Sequence, residues 1–293
     1  MKILLTGATG FIGMNFVERY YNKYDIVALV RKSSKIDKIK NKCKIYYYDE
    51  NIEQILNPLK KENIQGVVHL ATKWISTHNQ SDIVHLINSN ITFGVQLLEI
   101  IQKLNIVFFI NASTFGSYCN SFTYKPSSLY AATKKAYEDI IYYYALISKS
   151  IFTNLLIFNV YGNNDCSVRL FNLLNEVANT GMELPMSDGT QIVDYSHVYD
   201  IVDGFDCLIE LIQKDPKFCK NKIFSLKGKE RKSLKEVVML YEKVLGKKLN
   251  IKWGARAPRE LEIMQPWEGG EKLPNWDQKI SLKEGFLKMI NEK

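Results

Sequence analysis

The sequence predicts an α/β protein: a doubly wound parallel sheet with a smaller C-terminal lobe. Three observations predict it. Short apolar runs such as Lys2-Ile3-Leu4-Leu5, Ile26-Val27-Ala28-Leu29-Val30 and Gly66-Val67-Val68-His69-Leu70-Ala71 lack polar alternation, which suits strands covered on both faces. Between such runs lie stretches with helical spacing, most clearly residues 82–104 with Ile83, Leu86, Ile87, Ile91, Val95, Leu98 and Ile101 on one wide apolar face. A Gly-x-x-Gly-x-x-Gly turn, Gly7, Gly10 and Gly13, joins the first run to the first helix.

Taken in order, the first strand ends at Thr6-Gly7-Ala8-Thr9-Gly10-Phe11-Ile12-Gly13, and Phe11, Ile12, Phe16 and Val17 give the following helix its apolar face. Gly7 can adopt a turn closed to residues with a Cβ, Gly10 lets backbone approach a pyrophosphate, and Gly13 lets the helix pack close to the strand. The helix N-terminus then presents free N–H groups to that pyrophosphate. This is the opening of a Rossmann-type sheet. The second strand ends in Arg31-Lys32-Ser33-Ser34. A carboxylate at that place bonds the adenosine 2′-hydroxyl of NAD, whereas a cation suits the 2′-phosphate of NADP, so Arg31 and Lys32 predict NADP. The third strand, residues 45–49, places Asp49 to meet the adenine amino group. The fourth is residues 66–71. The helical stretch 82–104 leads to a fifth strand, residues 106–110, closed by Asn111-Ala112-Ser113-Thr114. A second long helix, residues 127–147, and a strand, residues 152–158, complete the alternation. Ligand is expected at the carboxyl ends of these strands.

From Gly162 the rhythm changes. Residues 1–162 are read as the dinucleotide-binding domain and residues 163–293 as mainly a substrate lobe, with segments returning to the first domain. The lobe begins with a loop at Asn163, Asn164 and Asp165 and a helix over 168–179. Further helices are expected at 197–212, 234–245 and 281–290, with a short strand at 222–226. Lys and Arg number 39 against 31 Asp and Glu, a net charge of +8. The lysines are scattered, and the densest stretch, residues 31–44, has no interleaved aromatics. A solvated basic face that attracts an anionic cofactor and substrate fits this better than nucleic acid. Cys43, Cys119, Cys166, Cys207 and Cys219 are odd in number and widely spaced, and read as reduced thiols rather than a metal site or disulfide frame. With no leader before the first strand and no apolar run long enough for a bilayer, a cytoplasmic protein without membrane contact is expected. Tyr142, Tyr143 and Tyr144 are assigned to core or dimer packing.

The sharpest chemical pair is Tyr130 and Lys134. Four apart on a helix, they point to one site. An ammonium beside a phenol favours phenolate, which would bring proton transfer to or from a sugar oxygen within reach of neutral pH, and Lys134 can also hold the nicotinamide ribose. Ser113-Thr114 supplies a hydroxyl to polarise the same oxygen, Thr114 being favoured. His69, His78, His85 and His197 are read as structural, and no metal site is expected.

These stretches together resemble an extended short-chain dehydrogenase/reductase of the nucleotide-sugar-modifying group. The likeness runs over nearly the full length, through Thr6 to Gly13, His69-Leu70-Ala71, Ser113-Thr114, Tyr130 to Lys134, Phe158-Asn159-Val160-Tyr161-Gly162 and Asp194-Tyr195-Ser196-His197-Val198. The resemblance implies cofactor contacts at Phe11, Ile12, Leu70 and Ala71, packing of Val160 on the nicotinamide, a contact of Asn159 with the sugar nucleotide, and a homodimer through the two long helices. Dehydratases of the group carry an Asp-Glu pair after the catalytic threonine, where this chain has Phe115-Gly116; epimerases usually carry a carboxylate after the second strand, where it has Arg31. What remains is NADPH-dependent reduction of a 4-keto-6-deoxy sugar carried on a nucleotide, and the chain is similar to CDP-4-keto-6-deoxyhexose reductases of the abequose and paratose synthase type. An NAD-dependent epimerase and a non-catalytic redox sensor are the alternatives. The family's basic residue before Asp194 is Val193 here. Arg169 and Arg259 are the candidates to replace it against the diphosphate, and CDP, GDP and dTDP stay open.

Overall fold

The computed structural model describes residues 1–163, 165 and 169–291. Its main sheet has eight strands, all parallel. β1 (Lys2–Thr6) is flanked by β2 (Asp25–Arg31) and β4 (Gly66–His69), and β3 (Lys44–Tyr48) forms the edge beyond β2. On the other side follow β5 (Phe108–Thr114), β6 (Ile151–Ile157), β10 (Ile223–Leu226) and β13 (Glu271–Lys272). The order therefore reverses between β1 and β4, and a ligand crevice belongs outside the carboxyl ends of these two strands.

Why the strands read as unbroken apolar runs is visible in β1. Ile3 and Leu5 pack against Phe16 and Val17 of α1 (Phe11–Tyr20) and Phe205 of α7 (Val198–Lys214). Leu4, pointing the other way, joins Ile55 of α2 (Ile52–Lys60), Leu97 and Ile101 of α4 (Phe93–Leu104), and Tyr137 of α5 (Leu129–Ile147). Both faces are dry, and each such fully buried side chain contributes on the order of 2 kcal/mol. A third core holds the lobe: Phe171 and Leu174 of α6 (Leu170–Thr180), Val237 and Tyr241 of α9 (Leu234–Leu245), and Phe286 of α10 (Leu282–Asn291) surround Tyr161. Tyr161 belongs to β7 (Asn159–Tyr161), which pairs in parallel with β9 (Ile192–His197), itself antiparallel to β11 (Arg231–Ser233). β8 (Leu184–Pro185) and β12 (Ile251–Lys252) form a separate pair. Residues of α7, β10 and β13 thus return to the main sheet from beyond Gly162.

The expected single helix over 82–104 is interrupted. A short α3 (Ile83–Ile87) passes into one π-helical turn, Asn88–Thr92, before α4. The wider turn carries Asn90, whose buried side chain accepts from Thr72 Oγ1 (3.0 Å) and Lys73 N (2.7 Å) and donates to Lys73 O (3.1 Å) and Thr133 Oγ1 (3.0 Å). The apolar residues on either side keep helical spacing, so periodicity does not register the insertion. β5 is also longer than expected, running through Asn111 and Ser113 to Thr114, because buried partners on α5 and β6 satisfy these polar side chains. α2 and the small strands β8, β11, β12 and β13 have no counterpart in the reading above. Asn164, Cys166 and Val168 lie outside the described residues, and the expected helix over 168–179 is α6. Tyr144 is buried and bonds Glu99 (2.5 Å), while Tyr142 and Tyr143 stay at the surface. No helix among the described residues is long and apolar enough to cross a membrane.

Candidate active site

At the crevice, the glycines answer three different demands. Gly7 has φ +71°, and a Cβ there would lie 2.6 Å from Ala71 N and Leu70 C, so the turn after β1 is pressed against the chain leaving β4. Gly13 faces the same turn from inside α1, where a Cβ would sit 2.1 Å from Gly7 O. Gly10 is the N-cap, and a Cβ on it would meet only Gly7 O, at 3.2 Å. No side chain caps α1 and no acidic residue occupies its first turn. Its first N–H groups are left for another acceptor, which fits a bound pyrophosphate. Thr6 Oγ1 braces the crevice floor, bonded to His69 Nδ1 (2.7 Å) and accepting from Ala71 N (3.3 Å). Burial and the nearby Lys134 hold His69 well below its ordinary pKa, so the ring is neutral.

Arg31 stands exposed at the carboxyl end of β2 and forms no ion pair among the described residues. Lys32 does not stand free beside it: its Nζ lies 3.6 Å from Asp49 Oδ2, so the cation and the carboxylate assigned to separate parts of the cofactor lie against each other.

Ser128 caps α5, its Oγ accepting from Ala131 N (3.2 Å), and thereby fixes where Tyr130 and Lys134 emerge. Burial pushes the Tyr130 phenol up to about 12, opposed by the Thr72 hydroxyl, the Arg169 guanidinium and the Thr114 hydroxyl. Lys134 is not among the groups acting on the phenol, contrary to expectation. Its buried Nζ reaches Asn111 Oδ1 on β5 (3.4 Å), and desolvation brings it down to about 8. The phenol is thus held protonated near neutrality. Thr114 Oγ1 accepts from Gly116 N (3.2 Å), which orients its hydroxyl at the strand end. Thr72, which sequence reasoning passed over, arrives at Tyr130 because Asn90 holds it. Ser113 points into the interior instead, bonded to Glu138.

The lobe supplies the remaining groups. Asn159 Nδ2 donates to Asp194 O (3.2 Å). Buried Asp194 accepts from Gly228 N (3.1 Å) and from Arg231 Nε (2.9 Å). Arg231 was not anticipated. Register explains its place: β11 lies antiparallel to β9 with Arg231 opposite Asp194 and Lys232 opposite Val193. β11 thus sets a guanidinium beside the strand on which Val193 precedes Asp194. The Arg231 guanidinium lies over Phe158 (5.4 Å), which stacks on Phe115 (5.0 Å), and its buried Nη2 has no partner among the described residues. Arg169 sits over Trp74 (5.2 Å) and acts on Tyr130 and Tyr195, so it belongs to the cluster. Arg259 donates its backbone N–H to Glu262 Oε2 (3.2 Å). It is exposed on the segment that folds back over Asn120, where Asn120 Oδ1 accepts from Met264 N (2.7 Å). Val160 is 6 % exposed and packs in the core between sheet and α7.

The family model described as the NAD dependent epimerase/dehydratase family matches residues 3–223. The chain is 25 % identical to CDP-abequose synthase of Salmonella typhimurium, over 96 % of each sequence. It is 24 % identical to UDP-glucuronate 4-epimerase of Thermodesulfobacterium geofontis, covering 98 % of this chain and 94 % of that one. Among solved structures, UDP-glucuronic acid 4-epimerase from Bacillus cereus in complex with UDP-glucuronic acid and NAD superimposes with a TM-score of 0.85 at 24 % identity, covering 99 % and 98 % of the two chains.

Proposed function

Since the chain belongs to the NAD dependent epimerase/dehydratase family, we propose that it reduces the keto group of a nucleotide-activated 4-keto-6-deoxy sugar with NADPH. Arg31 carries this reading. It is a cation without an ion pair among the described residues, standing at the carboxyl end of β2 where a 2′-phosphate would lie. Phe115, stacked on Phe158, stands where dehydration would need an acid–base pair. The likeness to CDP-abequose synthase of Salmonella supports the same class of substrate.

When bound, the reduced nicotinamide supplies the hydride. Tyr130, protonated because it is desolvated, gives its proton to the developing alkoxide, and Thr114 donates a hydrogen bond to the same oxygen. Lys134 would hold the cofactor ribose and returns a proton to Tyr130. Gly7, Gly10, Gly13, Phe11, Ile12, Leu70, Ala71 and Val160 would hold the dinucleotide. Asn159, Arg169 and Arg231 face the sugar nucleotide, and the unpartnered Nη2 of Arg231 suits a diphosphate oxygen. Exposed Ile83, Val84 and Ile87 on α3 and Tyr143, Leu146 and Ile147 on α5 support a homodimer through the long helices. A cytoplasmic setting suits the unpaired thiols of Cys43, Cys119, Cys207 and Cys219.

The likeness to UDP-glucuronate 4-epimerase favours a second reading, an NAD-dependent epimerase. Stoichiometry separates them. With CDP-, GDP- and dTDP-linked 4-keto sugars, a reductase consumes one NADPH per sugar, whereas an epimerase leaves the absorbance of reduced nicotinamide unchanged. Tyr130→Phe is expected to lower turnover by roughly 10²–10⁴-fold with NADPH affinity intact; a variant that keeps most of its rate overturns the assignment.

A further inference from the structure

Glu138 has no part in the chemistry above, yet it is a buried carboxyl on the same face of α5 as Tyr130 and Lys134, each one turn from the next. Ser113 Oγ donates to its Oε1 from β5. Its charged neighbours are Lys134, Lys135 and Asp139 on its own helix, and Tyr118 faces it from the loop after β5. Burial raises its pKa, so it holds a proton at higher pH than a surface carboxyl. On its outer side Glu138 lines a 170 Å³ cleft with Asp139, Tyr142, Asn154 and Asn221. A second polar path ends in the same cleft: Lys134 Nζ donates to Asn111 Oδ1 (3.4 Å), and Asn111 Nδ2 donates to Asn154 Oδ1 (2.8 Å). Asp139 and Asn221 are exposed, so the cleft opens to water away from the crevice where cofactor and sugar would lie.

Net reduction of a ketone takes up one proton from solvent at every turnover, and the substrates would cover the crevice side of Tyr130. We propose that the cleft beside Glu138 is the proton inlet, with Glu138 passing protons to Lys134 and thence to Tyr130. In sequence, the phenol O–H breaks as the sugar O–H forms; the phenolate takes a proton from the Lys134 ammonium; the amine takes one from the Glu138 carboxyl; the carboxylate takes one from hydronium in the cleft. No electrons move in these steps. The inference rests on Tyr130 being the proton donor of a net reduction.

Glu138→Gln, which keeps an oxygen for Ser113, tests it in a rapid-mixing experiment with NADPH and the keto sugar. The first turnover is expected to run within about twofold of wild type, because Tyr130 starts protonated, while later turnovers slow by about tenfold or more. Glu138→Asp is expected to restore them to within about threefold. Equal slowing of first and later turnovers indicates a merely structural role and overturns the relay, as does a Gln variant with wild-type steady-state rate. Should Glu138→Gln not fold, solvent deuterium on wild type decides: later turnovers slowed more than the first support the inlet, and equal slowing overturns it. Tyr130→Phe is run beside these. If it retains turnover, the parent reading falls; if it is inactive while Glu138→Gln is normal, only the relay falls.

Discussion

The turn between β1 and α1 and the corner where β11 meets β9 are the two places assigned to a diphosphate in the proposed reaction, and they are built in opposite ways. The turn uses backbone N–H groups of consecutive residues, placed by Gly7 and Gly13 and left uncapped. The corner uses one side chain, Arg231, brought from 37 residues away to buried Asp194 by strand register. The turn holds its geometry by crowding, since a methyl group at Gly13 would sit 2.1 Å from an oxygen. The corner holds its geometry by charge. Backbone sites therefore fail through sterics, and side-chain sites through electrostatics.

The largest effect expected from this difference is at Gly13. Gly13→Val should cost about 3 kcal/mol or more of stability and abolish cofactor binding, read by thermal unfolding with and without NADPH. Gly10→Ala should weaken cofactor binding and keep the fold; equal damage from both would erase the distinction between packing and ligand glycines. Next comes Arg231→Met, expected to raise KM for the nucleotide sugar roughly a hundredfold, about 3 kcal/mol, with NADPH affinity unchanged in a binding titration. A loss of cofactor affinity would break the comparison. The lobe side should also be the acid-sensitive one. His197, buried where β9 enters α7, is held by desolvation down to about 4 from an ordinary 6.5, so the unfolded ring takes a proton first. Its contribution, on the order of 2–3 kcal/mol, is present above pH 6.5 and lost as pH falls toward 4. His197→Asn puts an amide oxygen where Nδ1 of the ring accepts from Tyr199 N, which keeps the cap, and should flatten that slope in a series of unfolding curves. The smallest effect is Arg31→Ala, expected to weaken NADPH about tenfold and leave NADH alone, because an exposed cation is screened.

The same contrast explains what could be read before the structure. The glycine turn, the apolar strands and the helix that carries both Tyr130 and Lys134 are local patterns, and each lies where spacing put it. Thr72 and Arg231 depend on contacts distant in sequence: one on a π-helical turn hidden inside a regular apolar stripe, the other on antiparallel pairing between strands that carry no strong apolar signal. Val193 signalled a missing base, but not which strand would replace it. The Lys134 orientation escaped for a similar reason. Helical spacing places it near Tyr130, whereas its contact is set by Asn111 across the sheet.

β13 has a consequence for synthesis of the chain. These two residues, Glu271 and Lys272, cover the flank of β10, a strand made nearly fifty residues earlier. Until they emerge from the ribosome, the unpaired flank of β10 remains able to recruit strands from other nascent copies. Truncated chains ending between residues 227 and 270 should consequently coaggregate on release, whereas the full chain should not.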